Sequence, residues 1–178
     1  MSELKPLRAK NLSLPKYGLD ELDWDQVEQA VRAFQPGPHK SWFLTTLNSD
    51  GSPHTTGFGA LWVDGAIYFT TDPGVRKTRN LAADPRCSVA APIDGIDLTF
   101  DGDAHRVTDP AVVARIAAVY ARVGWPAVAE GDVITAPFSA PSAGPGPWQV
   151  FRIEVRSAVA LGTTGNETEG GATKWWFR

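Results

Sequence analysis

Residues 42–91 read WFLTTLNSDGSPHTTGFGALWVDGAIYFTTDPGVRKTRNLAADPRCSVAA, and this stretch decides the fold. Three runs rich in β-branched and aromatic residues are separated by Asn48-Ser49-Asp50-Gly51 and by Asp64-Gly65, the turn chemistry of antiparallel hairpins. The strands expected from this pattern are 41–47, 54–63 and 66–71. Asp72-Pro73-Gly74 then turns the chain into a short helix over 75–83, with Val75, Thr78 and Leu81 or Ala82 directed inward, before Asp84-Pro85 stops it. A fourth strand follows over 86–91. Gly57 and Gly59 fall inside the second strand, where a missing side chain weakens pairing. A local bulge and room for a ligand against the backbone account for them equally well.

On the N-terminal side, residues 1–21 carry Pro6, Pro15 and Gly18 without any period and read as a loose arm, free to lie on a partner subunit. Asp23 and Gln26 then stand at capping-box spacing, with Leu22 and Val27 placed as a hydrophobic staple. Val27, Ala30, Val31 and Phe34 continue an apolar stripe, so a helix is expected over 23–34, ended by Pro36-Gly37-Pro38. On the C-terminal side, Asp94-Gly95 turns into a fifth strand over 96–107, interrupted by a bulge at Asp101-Gly102-Asp103. Asp109-Pro110 opens a second strongly signalled helix. Val112, Val113, Ile116, Val119, Tyr120 and Val123 make it apolar over more than half its surface, so it should be covered on two sides.

Residues 124–147 are rich in Gly, Pro and Ala, long for a bare connection; they form a short helix near 126–131 or a functional lid. A sixth strand is expected from Trp148 to Val155, extending towards Leu161; residues 162–171 are a polar loop, and a short strand closes the chain over 172–177. The whole is one mainly β domain over 1–178: an antiparallel barrel of six or seven strands, which also removes exposed edges, with two to three flanking α-helices.

Composition narrows the function. The formal charge of -3 and a pI near 5.6 argue against nucleic acid as the main partner. No stretch has the roughly 20 consecutive apolar residues of a membrane span, nor is there a signal-type N-terminal run, which points to the cytoplasm. The single cysteine, Cys87, excludes an internal disulfide and reads as a buried, inert thiol. His39, His54 and His105 are scattered without ligand spacing, so no metal site is assigned. Neither a nucleophile motif nor a dinucleotide-binding glycine fingerprint occurs. A chain without a catalytic constellation of its own can delegate the chemistry to a cofactor.

The strongest candidate site is the helix opening, where Arg76, Lys77 and Arg79 sit together beside backbone N–H groups left free at a helix N-terminus. Two guanidiniums and an ammonium there can clamp a phosphate by charge-assisted bonds; the plainer alternative is a solvated rim paired with Asp72 and Asp84. At the C-terminus, Trp175 and Trp176 face opposite sides of one strand, and Lys174 and Arg178 share the side of Trp176. That face could stack on and neutralise an anionic ring, or the strand could simply close the barrel.

With these residues in view, the stretch resembles the pyridoxamine-phosphate-oxidase-like superfamily, the FMN-binding split barrels. The resemblance rests on the DGSPH turn (50–54), the strand ending in Leu61-Trp62, and YFTTDPGVRKTRNLAADPRCSV (68–89); it extends loosely to the 110s and fades through 124–171. The closing GATKWWF resembles the end of many actinobacterial members. It implies a six-stranded antiparallel split β-barrel, a homodimer, and F420 or FMN bound between subunits. By match to the pattern, Arg76 and Lys77 would contact the cofactor phosphate, with Arg79 close by. Thr56, Gly57, Phe58 and Gly59 would run along the ring, Thr70 and Thr71 would approach the phosphoribityl chain, and Lys174 or Trp176 would come from the partner. Val75 stands where many FMN-binding members have a serine that bonds the phosphate, and the arginine-rich substrate motif of pyridoxamine phosphate oxidases proper is missing. The activity implied is hydride transfer between F420 or FMN and a small conjugated organic substrate, with a proton from solvent, His54 or Tyr68. The alternative is a non-catalytic flavin- or haem-binding protein.

Overall fold

The computed structural model describes residues 4–34, 42–93, 95–139, 144–163 and 170–178. The helix stop at 36–38, Asp94, and most of the polar loop before Gly170 lie outside these residues. In chain order the elements are β1 (Arg8–Asn11), a 3-10 turn (Pro15–Tyr17), α1 (Trp24–Ala33), β2 (Trp42–Leu47), β3 (Pro53–Phe58), β4 (Ala60–Val63) and β5 (Ala66–Thr71). They continue as α2 (Arg76–Ala83), β6 (Arg86–Ile93), β7 (Ile96–Val107), α3 (Pro110–Arg122), β8 (Val128–Glu130), β9 (Val133–Thr135), β10 (Trp148–Gly162) and β11 (Thr173–Trp176).

The run expected as one strand over 54–63 is two. It breaks at Gly59, so that β3 pairs with β2 while β4 pairs with β5. From β5 the pairing passes to β10, then β7, β6 and back to β2, all antiparallel. Six strand positions are thus linked in a circuit whose last step is the covalent bend at Gly59, the six-stranded split barrel. Inward residues of every barrel strand meet in one core with Trp42, Leu44, Ile67, Phe69, Val89, Phe100 and Ile153. α1 adds Trp24, Val27 and Val31 to it, and Trp24 packs against Trp175 and Phe177 of the C-terminus. The cap is Asp23, which accepts from Asp25 N at 2.7 Å. The buried carboxylate of Glu28 is satisfied by Arg32 (2.9 Å) and by the indole N–H of Trp62 (3.3 Å).

A second core lies outside the barrel. Leu61, Ala66 and Tyr68 point away from the first core and are covered by Val113, Ile116, Ala117 and Tyr120 of α3. Asp109 caps that helix by accepting from Ala111 N (2.9 Å), with Pro110 at its first turn. The covering expected on the second side of α3 comes from β8 and β9, a hairpin that replaces the helix read near 126–131. β9 extends the sheet beside the start of β10, and Trp125 stacks edgewise on Tyr120.

Two further expectations are corrected. The N-terminal arm is not loose: β1 pairs antiparallel with β11 of the same chain, and Trp24 Nε1 donates to Leu4 O at 2.6 Å. The bulge read into Asp101-Gly102-Asp103 belongs to the opposite strand, between Val155 and Ser157 of β10, and β7 runs unbroken. Gly102 is there for another reason. A Cβ would stand 2.5 Å from Glu154 O and 2.9 Å from Ile153 Cγ2, so only glycine lets β10 approach.

Candidate functional site

β5 delivers the chain to α2 through a tightly bonded turn. Asp72 Oδ1 accepts from Gly74 N (2.6 Å), and Thr78 Oγ1 donates to Asp72 O (2.6 Å) while meeting Thr71 Oγ1 at 3.0 Å. Asn80 Nδ2 ties the helix to β2 and its turn, donating to Thr46 Oγ1 (3.0 Å) and Asn48 Oδ1 (3.1 Å). The first turn of α2 is thereby held rigidly, yet Val75 at the cap supplies no side-chain acceptor for its N–H groups. Sites on anchored elements keep the geometry that binding a small anion requires.

Arg76 is exposed and Lys77 half-buried on that turn. The pairing with Asp72 and Asp84 considered from the sequence does not form. Asp72 is used by Gly74, and Asp84 is gripped by Arg86, whose guanidinium holds its carboxyl down to about 2. Neither Arg76 nor Lys77 has an ion-pair partner among the described residues, and burial pushes the Lys77 ammonium below its ordinary value. Arg79 differs, since its Nη1 donates to Gly74 O (2.8 Å) and folds it back on the turn. Arg76, Arg79 and Arg86, with Asn48 and Asn80, line a groove of about 860 Å³.

The other candidates separate. The Phe58 side chain is in the barrel core, edge-on to Phe69 at 5.3 Å, so only its backbone is available. Thr56 is half-buried and donates to Gly57 O (3.0 Å). Gly57 and Gly59 are exposed, and a Cβ at Gly59 would meet nothing within 4 Å, so this bend is open space rather than a tight contact. Thr71 is buried in its bond to Thr78. The hydroxyl of Tyr120 donates to Gly59 O at 3.4 Å. Tyr120 therefore fastens the open bend from behind. Sequence periodicity showed it only as one more apolar position of α3.

Trp176 and Lys174 lie apart from Arg76 and Lys77. The Trp176 ring carries Arg8 (4.8 Å) and Lys174 (5.2 Å) against it and lines a cavity of about 500 Å³ with Thr45, Ser88, Arg86, Arg156 and Arg178. Arg86 and Leu47 line both this cavity and the α2 groove, so the two are neighbours. Arg86 was not singled out from the sequence; its place directly after the Asp84-Pro85 helix stop is the only local sign of it. His54 is half-buried with Nδ1 unpartnered, and Tyr68 faces α3.

Residues 27–160 match the family model described as pyridoxamine 5'-phosphate oxidase, and the chain belongs to that family. No curated protein sequence matches it. Among solved structures it is similar to a Listeria innocua protein named for pyridoxamine 5'-phosphate oxidase, with 18% identity and a TM-score of 0.57 over 78% of this chain and 98% of that one. It is similar to an F420 reductase, at 19% identity and a TM-score of 0.52 over 74% of this chain and 94% of the other. A pyridoxamine 5'-phosphate oxidase-related, FMN-binding protein from Nostoc punctiforme has 13% identity and a TM-score of 0.53, covering 84% and 93%. At such identities the likeness is one of fold. No helix among the described residues is long and apolar enough to cross a membrane.

Proposed function

We propose that this protein is an oxidoreductase that transfers hydride between F420 or FMN and a small conjugated organic substrate, working as a homodimer with the cofactor between subunits. The observation that carries this reading is the Arg76–Lys77 pair: two cations without acids to satisfy them among the described residues, on an uncapped first turn that a hydrogen-bond network holds in place. A phosphate fits that donor set, because it supplies the oxygens that both side chains and the free N–H groups lack. The bound cofactor's ring would supply the hydride chemistry; the chain's part is to hold and orient it. Arg76 and Lys77 would grip the phosphate, while Gly57 and Gly59 would leave the backbone open alongside the ring. The names of the F420 reductase and the FMN-binding neighbour support either cofactor.

The dimer reading has its own support. Thr55, Thr45, Ser88, Asp101, Ser157 and Trp176 stand opposite one another in a row across β3, β2, β6, β7, β10 and β11. Beside them runs a second row, Gly57, Phe43, Ala90, Thr99, Val159 and Lys174, in which Phe43 is 45% exposed. Two rows of mostly small side chains, ended by Lys174 and Trp176, around one exposed phenyl ring suit a second copy better than water. A partner docked there would meet the face that carries Trp176.

Titration with FMN and with F420, followed by fluorescence and by sedimentation, tests the proposal. One of the two should bind at one per subunit of a dimer, and the bound cofactor should be reduced and reoxidised with turnover of an added quinone or conjugated lactone. Failure of both to bind would remove the cofactor reading; tight binding without turnover would leave a flavin carrier.

A further inference from the structure

Tyr68 of β5, Arg152 of β10 and His105 of β7 stand directly opposite one another in a row on the outer face of the barrel. α3 overhangs this row with Arg115 and Val112, and Val107 forms the far wall of a groove of about 440 Å³. That is the size of a small-molecule site. The groove holds an unused hydrogen-bond donor. Arg152 Nε is buried without an acceptor among the described residues. Tyr68, 4% exposed, is among the residues that line the groove.

The acids nearby are already engaged. Glu154 accepts from Arg178 (2.6 Å) and pairs with Arg152 Nη1 (3.1 Å), Asp64 is bound by Arg115, and Asp132, outside the groove, by Arg106 (2.6 Å). Arg106 and Arg115 each have an acid of their own, Asp132 and Asp64, whereas Arg152 shares Glu154 with Arg178, which leaves one positive charge over among these side chains. A buried donor with no acceptor is costly, and a bound oxyanion removes that cost while balancing the charge. Val107 and Val112 offer apolar surface to the rest of such a molecule.

We propose that this groove is a second binding site, for a small organic carboxylate that accepts from Tyr68 and Arg152. It is independent of the Arg76–Lys77 turn, with which it shares no lining residue. Benzoate is the probe, with benzamide as the neutral isostere and inorganic phosphate as the second oxyanion. Titration of the full chain is followed by NMR of the Arg Nε–Hε groups and the tyrosine rings. Benzoate should shift Arg152 and Tyr68 saturably, with benzamide and phosphate each at least tenfold weaker. Arg152→Gln should weaken benzoate at least tenfold and Tyr68→Phe about threefold, with thermal unfolding recorded for each variant. Equal response to benzoate and benzamide, or unchanged benzoate affinity in a folded Arg152→Gln protein, would overturn the site. If that variant does not fold, Tyr68→Phe decides, and unchanged affinity there has the same force. Phosphate binding more tightly than benzoate would overturn the carboxylate assignment. Loss of cofactor binding in an Arg76 variant leaves all these outcomes as they are.

Discussion

Lys77 allows a test in which stability and function move in opposite directions. Its ammonium is half-buried without a carboxylate partner among the described residues, and desolvation lowers its pKa. Because the folded value lies below the unfolded one, the unfolded chain binds the proton more tightly in that range, and the stability of cofactor-free protein should rise with pH through the window just below 10.5, the ordinary lysine value. Below the window the charged side chain is a net burden, so Lys77→Met should leave the cofactor-free protein as stable as the parent or more so. With a phosphate in place the same charge is favourable. A charge-assisted hydrogen bond is worth about 1.5–3 kcal/mol, so its loss should weaken cofactor binding roughly 10- to 150-fold. The assay pairs urea unfolding of the cofactor-free variant with fluorescence titration by FMN and F420. If stability and affinity fall together, Lys77 is a structural residue and the argument is refuted; an unchanged affinity refutes it too.

Three further outcomes follow from single contacts. Tyr120→Phe keeps the ring against Trp125 but deletes the bond to Gly59 O, and should cost about 1 kcal/mol in denaturant unfolding. Gly102→Ala drives a Cβ into the β10 backbone and should destabilise by at least about 2 kcal/mol, whereas Gly59→Ala meets open space and should change stability by less than about 0.5 kcal/mol while impairing cofactor binding. Burial pushes the Cys87 thiol up to about 12, so a disulfide reagent at pH 8 should label it only at the rate of unfolding; fast labelling of native protein would contradict its burial.

The legible parts of this chain were those written in a few neighbouring residues. Asp64 and Gly65 both have positive φ, as the tight hairpin requires, and Asp109-Pro110 caps and starts α3 as its sequence implies. The basic turn at Arg76 and Lys77 was visible for the same reason, because a helix start and its charges are adjacent in the chain. That these cations lack acids among the described residues was not visible, since Asp84 is within reach of them in sequence and turns instead to Arg86. Tyr120 became a support of the Gly59 bend only when α3 was laid across β5, 61 residues from the carbonyl it bonds.

By itself, then, the sequence determined the principal strands of the barrel and their turns, the caps of α1 and α3 and the position of the basic pair, all products of local backbone and charge preferences. Only the tertiary structure decided which edges pair: that the strand through Gly59 changes partner, that the bulge falls on β10, and that the N-terminal arm becomes β1 against β11. Leu22 N donates to Thr173 Oγ1 across 151 residues. Such contacts depend on which surfaces bury one another in the folded chain, and no window of neighbouring residues contains that information.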